Sequence, residues 1–135
     1  SSKLRLSSTP IASFAVAVLL VANISPASAI DEEKFAFTNT GDLYDICSVD
    51  ASDPEEKTAQ IACTAFIEAA VQYHDAVSDR KHLKRLVCYP QGATIGDGRA
   101  AFLAWAKENA GNAKLMDEEP VVGLVRALAR AYPCK

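Results

Sequence analysis

Four cysteines constrain this chain more than any other feature, because all of them follow an N-terminal segment with the pattern of an export signal. They are Cys47, Cys63, Cys88 and Cys134. Thiols of small proteins that leave the reducing cytosol are usually oxidised in pairs, and an even count allows all of them to pair. We therefore expect a small domain that works outside the cytoplasm and is held together by disulfide bonds.

Residues 1–29 contain the three parts of a secretory signal peptide. Lys3 and Arg5 form a positive region, an apolar run follows at 11–22, and a small-x-small cleavage site ends at Ala29. The apolar run is shorter than the ~20 residues that span a bilayer. We therefore predict that the signal peptide is cleaved during export and that the mature protein has no membrane anchor.

The mature chain is acidic. The full sequence has 14 basic and 17 acidic residues, and cleavage removes Lys3 and Arg5, which leaves 12 against 17, or about −5 with histidine neutral. An acidic domain is a poor partner for nucleic acid or for an anionic membrane, so we expect neither. The remaining length suits one domain with one modest core.

The spacing of apolar residues predicts an all-α fold, without a strand pattern or an internal repeat. We expect a small disulfide-stapled bundle of about four helices over residues 41–135, after a flexible lead-in at 30–40. The predicted helices cover residues 41–47, 54–77, 94–109 and about 118–132, the last with Asp117 as its cap.

The longest predicted helix has a stripe of apolar residues at steps of three and four, which we expect to face the core. The stripe consists of Ala62, Phe66, Ala69, Tyr73 and Ala76. The residues at 78–86 that follow are strongly basic. We expect them to prolong the helix or to form its frayed end, where cations suit the helix dipole.

Four cysteines allow three pairings, and the order of the helices favours one of them. Cys88 and Cys134 follow the first and third long helices, whose ends meet at one pole if the long helices run up, down and up. Cys47 ends the short helix, and Cys63 lies two turns into the next one. We predict the pairs Cys47–Cys63 and Cys88–Cys134. Zinc is disfavoured because the spacings are 16, 25 and 46 residues, without close pairs, and we expect no cofactor.

No residues are arranged as a recognisable enzyme motif, and we predict that the chain is not an enzyme. Tyr73, His74 and Asp75 are chemically suitable, but adjacent side chains on a helix point away from one another. We expect His74 at the edge of the apolar stripe. Trp105 is expected in the core rather than as an anchor for a partner.

Four short patterns extend from the first predicted helix to the end of the chain and include every cysteine. They are Gly41-Asp-Leu43-Tyr44-x-x-Cys47, Ala62-Cys63-x-x-Phe66-Ile67-x-Ala69, Cys88-x-Pro90-x-Gly92-x-Thr94 and Val125-x-Ala127-Leu128-x-x-Ala131-Tyr132-Pro133-Cys134. In these patterns the chain resembles the Rap/Tai family of small helical immunity proteins against type VI secretion amidase toxins. The resemblance implies a helical fold, a periplasmic location and often a homodimer. It also implies a loop that blocks the active-site groove of a peptidoglycan amidase.

The resemblance favours a periplasmic binding protein that occludes the active site of a cell-wall amidase effector. The two candidate binding loops cover residues 48–54 and 110–116. The candidate contacts are Asp50 and Asp53 in the first loop, and Asn112 and Lys114 in the second. The alternative is a general periplasmic protein of the same scaffold, in envelope maintenance or acid-stress protection.

Overall fold

The computed structural model describes residues 29–135, so the predicted signal peptide lies outside the described residues except for Ala29. A 3₁₀ helix at Glu32–Ala36 precedes five α-helices. These are α1 (Thr40–Cys47), α2 (Glu56–Lys81), α3 (Ile95–Asn109), α4 (Ala113–Met116) and α5 (Pro120–Ala131). The expected all-α bundle is confirmed for this part of the chain. The one-turn helix α4 stands where the sequence predicts only a loop.

Local sequence explains where α1 and α3 begin. The Asn39 side chain accepts a hydrogen bond of 2.9 Å from the Asp42 N–H and so caps α1. Thr94 and Asp97 form the reciprocal capping box at the start of α3, with bonds of 2.9 and 3.1 Å. Both starts agree with the prediction to within one residue.

Three helix boundaries differ from the prediction. Helix α2 begins at Glu56, two residues after its predicted start. The basic segment prolongs α2 as far as Lys81, and the helix ends where His82 adopts a left-handed conformation with φ of 54°. Asp117 does not cap the last helix, because its N–H donates to the Ala113 carbonyl at 2.9 Å and thereby ends α4. The last helix, α5, begins instead at Pro120, whose fixed φ suits a first helical position.

The segment predicted as a flexible lead-in, residues 30–40, is packed onto the domain. The Ile30 N–H donates to Asp53 Oδ2 at 3.0 Å. The ring centroids of Phe37 and Phe66 are 5.2 Å apart. These contacts join the segment to the loop before α2 and to α2 itself.

The side of α2 that faces the core is not the predicted one. Tyr73 is 73% exposed, and Ala69 and Ala76 are also exposed, while Ala62 and Phe66 are only half-buried. The buried positions of the helix are Ala59, Cys63, Ile67 and Ser78. An alanine-rich helix offers more than one stripe of the same period, so periodicity alone does not select between them. Trp105 lies in the core as expected, with 7% of its surface exposed.

Both predicted disulfides are present. Cys47 and Cys63 are fully buried, and their Cα atoms are 5.1 Å apart. The Cα atoms of Cys88 and Cys134 are 5.0 Å apart, and the Cys88 N–H donates to the Tyr132 carbonyl at 2.9 Å. The bonds close segments of 16 and 46 residues. On the chain-entropy model these loops correspond to about 3 and about 4 kcal/mol of stabilisation.

Helix α1 approaches α5 closely at Thr40 and Gly123. Thr40 is fully buried, and its hydroxyl lies 3.0 Å from the Glu118 carbonyl and 3.1 Å from the Glu119 carbonyl. A Cβ atom on Gly123 would overlap the Thr40 side chain. The crossing of the two helices therefore requires glycine at this position.

We predict that Gly123→Ala lowers the free energy of unfolding by about 1–3 kcal/mol, because the added methyl group overpacks this crossing. Urea denaturation followed by circular dichroism measures the loss. Gly111→Ala is the matched control, since no atom lies within 4 Å of the Cβ it would add. Equal stability of the Gly123→Ala variant and the wild type would contradict the close approach.

Candidate functional site

The two loops predicted to bind a partner lie at opposite ends of α1. The loop at 48–54 follows Cys47, the last residue of α1. The loop at 110–116 is next to the start of α1, where the Thr40 N–H donates to the Glu118 carbonyl at 2.8 Å. Because α1 has 8 residues, its two ends are about 12 Å apart. The loops are therefore two separate surfaces.

In each loop one predicted contact residue stabilises the loop itself. Asp53 accepts hydrogen bonds from the Glu55 N–H at 2.8 Å and from the Ile30 N–H at 3.0 Å. Asn112 caps α4 and accepts from the Leu115 N–H at 3.3 Å. These side-chain oxygens already satisfy backbone donors, so they serve the loop conformation before any partner binds.

The other two predicted residues, Asp50 and Lys114, are exposed. Hydrogen bonds from the Ser52 N–H and hydroxyl, at 2.9 and 2.7 Å, hold the pKa of Asp50 below its ordinary value. Asp50 is therefore ionised at neutral pH. Each loop thus presents one charged side chain to solvent, an anion in the first loop and a cation in the second.

We predict that Asp53→Ala and Asn112→Ala each lower the free energy of unfolding by about 1 kcal/mol, because each removes a cap-type acceptor. Asp50→Ala and Lys114→Ala should stay within about 0.5 kcal/mol of the wild type, as exposed substitutions usually do. Urea denaturation compares the four variants. An Asp53→Ala variant with the same free energy of unfolding as the wild type would show that this carboxylate does not hold its loop.

An exposed apolar surface is the largest feature that the sequence did not reveal. It lies between the second half of α2, the segment at 82–87 and the outer side of α5, and Leu86 in it is 59% exposed. We call it the apolar face, and it consists of Tyr73, Leu83, Leu86, Val121, Val122 and Val125. Two grooves of about 270 Å³ and about 420 Å³ cross it and share Leu86, Val121 and Val125. Contiguous exposed apolar surface is typical of interaction sites.

Helix α5 is apolar on two sides, which explains why this surface was not predicted. Leu124 and Leu128 face the core and are at most 2% exposed. Val121 and Val122 face outward, although spacing places Val121 on the same stripe as Leu124. A useful signal was available, because α5 has more apolar residues than one buried stripe needs.

The basic segment forms one edge of the apolar face. Within it, Arg85 pairs with Asp75 at 2.6 Å and with Asp79 at 2.8 Å, so its charge is compensated. Lys84 lines the groove of about 270 Å³ beside Tyr73 and has no ion pair within residues 29–135. This edge of the surface therefore presents a positive charge.

Arg126, on the α5 side, is neutralised by Glu118. Two hydrogen bonds of 2.8 Å join the guanidinium to the carboxylate. These bonds are the main reason why the pKa of Glu118 lies below its ordinary value. Because the pKa of Glu118 is lower in the folded state than in the unfolded state, the pair stabilises the fold at pH values above the unfolded pKa. That stabilisation is lost as pH falls through the folded pKa. Arg126 is exposed and Glu118 is partly exposed, so solvent screens the pair and the effect is small.

His74 holds the segment at 82–87 against α2. Its Nε2 atom accepts from the Leu86 N–H at 3.2 Å and from the Val87 N–H at 3.4 Å. Its Nδ1 atom lies 2.9 Å from Asp75 Oδ1. Since Nε2 accepts, the proton of the neutral ring is on Nδ1 and is donated to Asp75. The expectation that these adjacent side chains point apart is therefore wrong.

This His–Asp pair does not resemble a catalytic base. A general base needs an imidazole nitrogen whose lone pair faces the substrate. Here the Nε2 lone pair is directed at two backbone N–H groups, those of Leu86 and Val87. The arrangement has a structural role, which is to fix a segment that lacks helical hydrogen bonds.

The described part of the chain, residues 29–135, contains no group of three or more histidine, cysteine, aspartate or glutamate side chains placed to hold a metal ion. None of the helices in that range combines the length and the hydrophobicity needed to span a bilayer.

Comparison with known proteins identifies one family. The family model of the Rap1a immunity proteins matches residues 39–134. The match extends from the cap of α1 to the last cysteine, so it includes all five α-helices and both disulfides. It confirms the resemblance inferred from the sequence. No curated protein and no solved structure gives a significant match.

Proposed function

Because the chain belongs to the Rap1a immunity protein family, we propose that it protects its cell by binding a type VI secretion toxin that is a peptidoglycan amidase. The protein acts in the periplasm, after cleavage of the signal peptide at residues 1–29. Family membership indicates an inhibitor rather than a catalyst. It blocks the active-site groove of the toxin by occupying it. The family match over the whole helical domain is the observation that carries this proposal.

The scaffold suits inhibition by occlusion because both exposed loops are anchored. The first loop starts at the buried Cys47–Cys63 disulfide and is closed by the two hydrogen bonds of Asp53. The second loop contains α4, which Asn112 caps. It is followed by Glu118, whose carbonyl accepts a hydrogen bond from the Thr40 hydroxyl. A preformed surface loses less conformational entropy on binding than a mobile one.

We further propose that Asp50 and Lys114 are the contacts with the toxin. Both are exposed and charged. Paired charges at the edge of an interface mainly affect the association rate and partner choice. The two loops are separated by the length of α1, so only one of them needs to enter the groove of the toxin.

The test is inhibition of a purified type VI amidase effector from the same genome, measured as peptide release from peptidoglycan. We expect the mature wild type to inhibit it, and Asp50→Lys or Lys114→Glu to weaken inhibition roughly tenfold through lost charge pairing. Glu68→Lys and Lys107→Glu are the matched controls, because both residues are exposed charges on helices. Absence of inhibition at excess wild-type protein would exclude the amidase proposal.

The resemblance also implies a homodimer, and we propose that two copies pack through the apolar face. Both signs of charge lie at its borders, since Lys84 lines one groove, and Arg126, which is paired with Glu118, lines the other. In a dimer with two-fold symmetry the same patch meets itself, so opposite charges of two copies can pair across it.

Sedimentation velocity tests the dimer. We expect Leu86→Ser combined with Val121→Ser to give a monomer while the free energy of unfolding changes by about 0.5 kcal/mol or less, because both residues are exposed. Ile61→Ser is the control, since Ile61 is 71% exposed but lies outside the apolar face. A wild type that stays monomeric, or a variant that stays dimeric, would exclude this surface as the interface.

A further inference from the structure

We propose that His74 is a proton-sensitive latch, which holds residues 82–87 in place when neutral and releases them when protonated. The segment contributes Leu83 and Leu86 to the apolar face. The latch would therefore make self-association depend on pH. Only this consequence rests on the proposed dimer, because the latch itself is a property of one chain.

The segment is held by contacts that differ in their response to pH. It starts at His82, where α2 ends, and it is followed by Cys88, which is bonded to Cys134. Arg85 is held by two aspartates and keeps its charge at all relevant pH values. The two N–H groups of Leu86 and Val87 instead depend on the Nε2 lone pair of His74.

Protonation changes this contact in one direction. In the neutral ring Nδ1 carries the proton and Nε2 accepts, as the bonds to Asp75 and to the backbone require. A second proton goes to Nε2 and converts the acceptor into a donor. The new Nε2–H group would then face the N–H groups of Leu86 and Val87, so both hydrogen bonds are lost. The Nδ1–H bond to Asp75 remains in both states and keeps the ring in place while the segment moves.

The charged and titratable side chains around His74 come from α2, from the segment at 82–87 and from two tyrosines that follow it in the chain. The charged side chains around it are Asp75 on α2, Arg85 from the segment, which also pairs with Asp79, and Lys84 along the groove. The remaining titratable neighbours are Tyr73, which lines the same groove, Tyr89, edge-on at 6.5 Å, and Tyr132 beside Tyr89. Burial and then the charge of Asp75 raise the pKa of Tyr89, so this phenol stays neutral.

Helix α5 presents only apolar side chains to this region, and they are Val121, Leu124, Val125 and Leu128. No carboxylate or cation of α5 therefore compensates a change of charge on the ring. Histidine is the side chain whose charge ordinarily changes between about pH 5 and pH 8. Nε2 of His74 is therefore the contact of the segment that a proton converts from an acceptor into a donor.

The experiment follows amide hydrogen exchange of Leu86 and Val87 by NMR, at about pH 7.5 and about pH 5.5, in the range where histidine titrates. Protection factors are corrected for intrinsic exchange. The nitrogen shifts of the His74 ring report its tautomer and protonation in the same samples. Val122→Ser serves as a background that weakens self-association, because Val122 lies on the apolar face but does not line the groove that contains His74.

We expect protection of both amides to fall roughly tenfold in acid, the size of one lost hydrogen bond, in step with protonation of His74. The His74→Gln variant should show no such pH dependence, because its amide oxygen accepts without titrating. The His82→Gln variant should behave as the wild type, since His82 is exposed. Sedimentation of the wild type should show a weaker dimer at the acidic pH.

Protection of Leu86 and Val87 that stays constant while His74 becomes protonated would overturn the latch. So would a ring that stays neutral over this range, or a dependence that disappears in His82→Gln instead. None of these readouts needs the His74→Gln variant, so they remain decisive even if that variant unfolds. A confirmed latch in a protein that neither dimerises nor inhibits an amidase would leave the latch intact and exclude only the proposed function.

Discussion

The disulfide between Cys47 and Cys63 fixes the rotation of α2 about its axis. That rotation decides which side chains of α2 face the core and which join the apolar face. Both cysteines are fully buried, so the bond turns the Cys63 side of the helix inward. His74 follows Cys63 by eleven residues, or about three turns, and therefore points to the same side. Tyr73 is turned outward by the same geometry and becomes part of the apolar face.

The second disulfide links the two borders of the apolar face. Cys88 follows the segment that carries Leu86, and Cys134 follows α5, which carries the valines. The anchored loops lie elsewhere, at the two ends of α1. The surfaces that we propose for a toxin and for a second copy are thus separate, so the proposed dimer would leave the loops free to bind. The disulfides and the close crossing of α1 with α5 at Gly123 hold this division in place.

Local signals and family patterns predicted much of this structure, while long-range contacts decided the rest. The starts of α1 and α3, the disulfide pairs and the all-α fold follow from residue types, helix order and spacing. The buried side of α2 does not, because its alanines allow several equivalent stripes. The role of His74 depends on backbone groups twelve and thirteen residues away. No local pattern indicates such a bond. The apolar face was missed for a different reason, because α5 is apolar on two sides and only one side was assigned to the core.

The central claim is that oxidation of both cysteine pairs makes the helical scaffold stable enough to present these surfaces. Urea denaturation of the mature protein, oxidised and then reduced with its thiols alkylated, tests it most directly. The chain-entropy contributions of about 3 and about 4 kcal/mol are comparable with the stability of a small domain, about 5–15 kcal/mol. We therefore predict a reduced protein that is largely unfolded or unfolds at much lower urea. Equal unfolding midpoints for the oxidised and the reduced protein would contradict the claim.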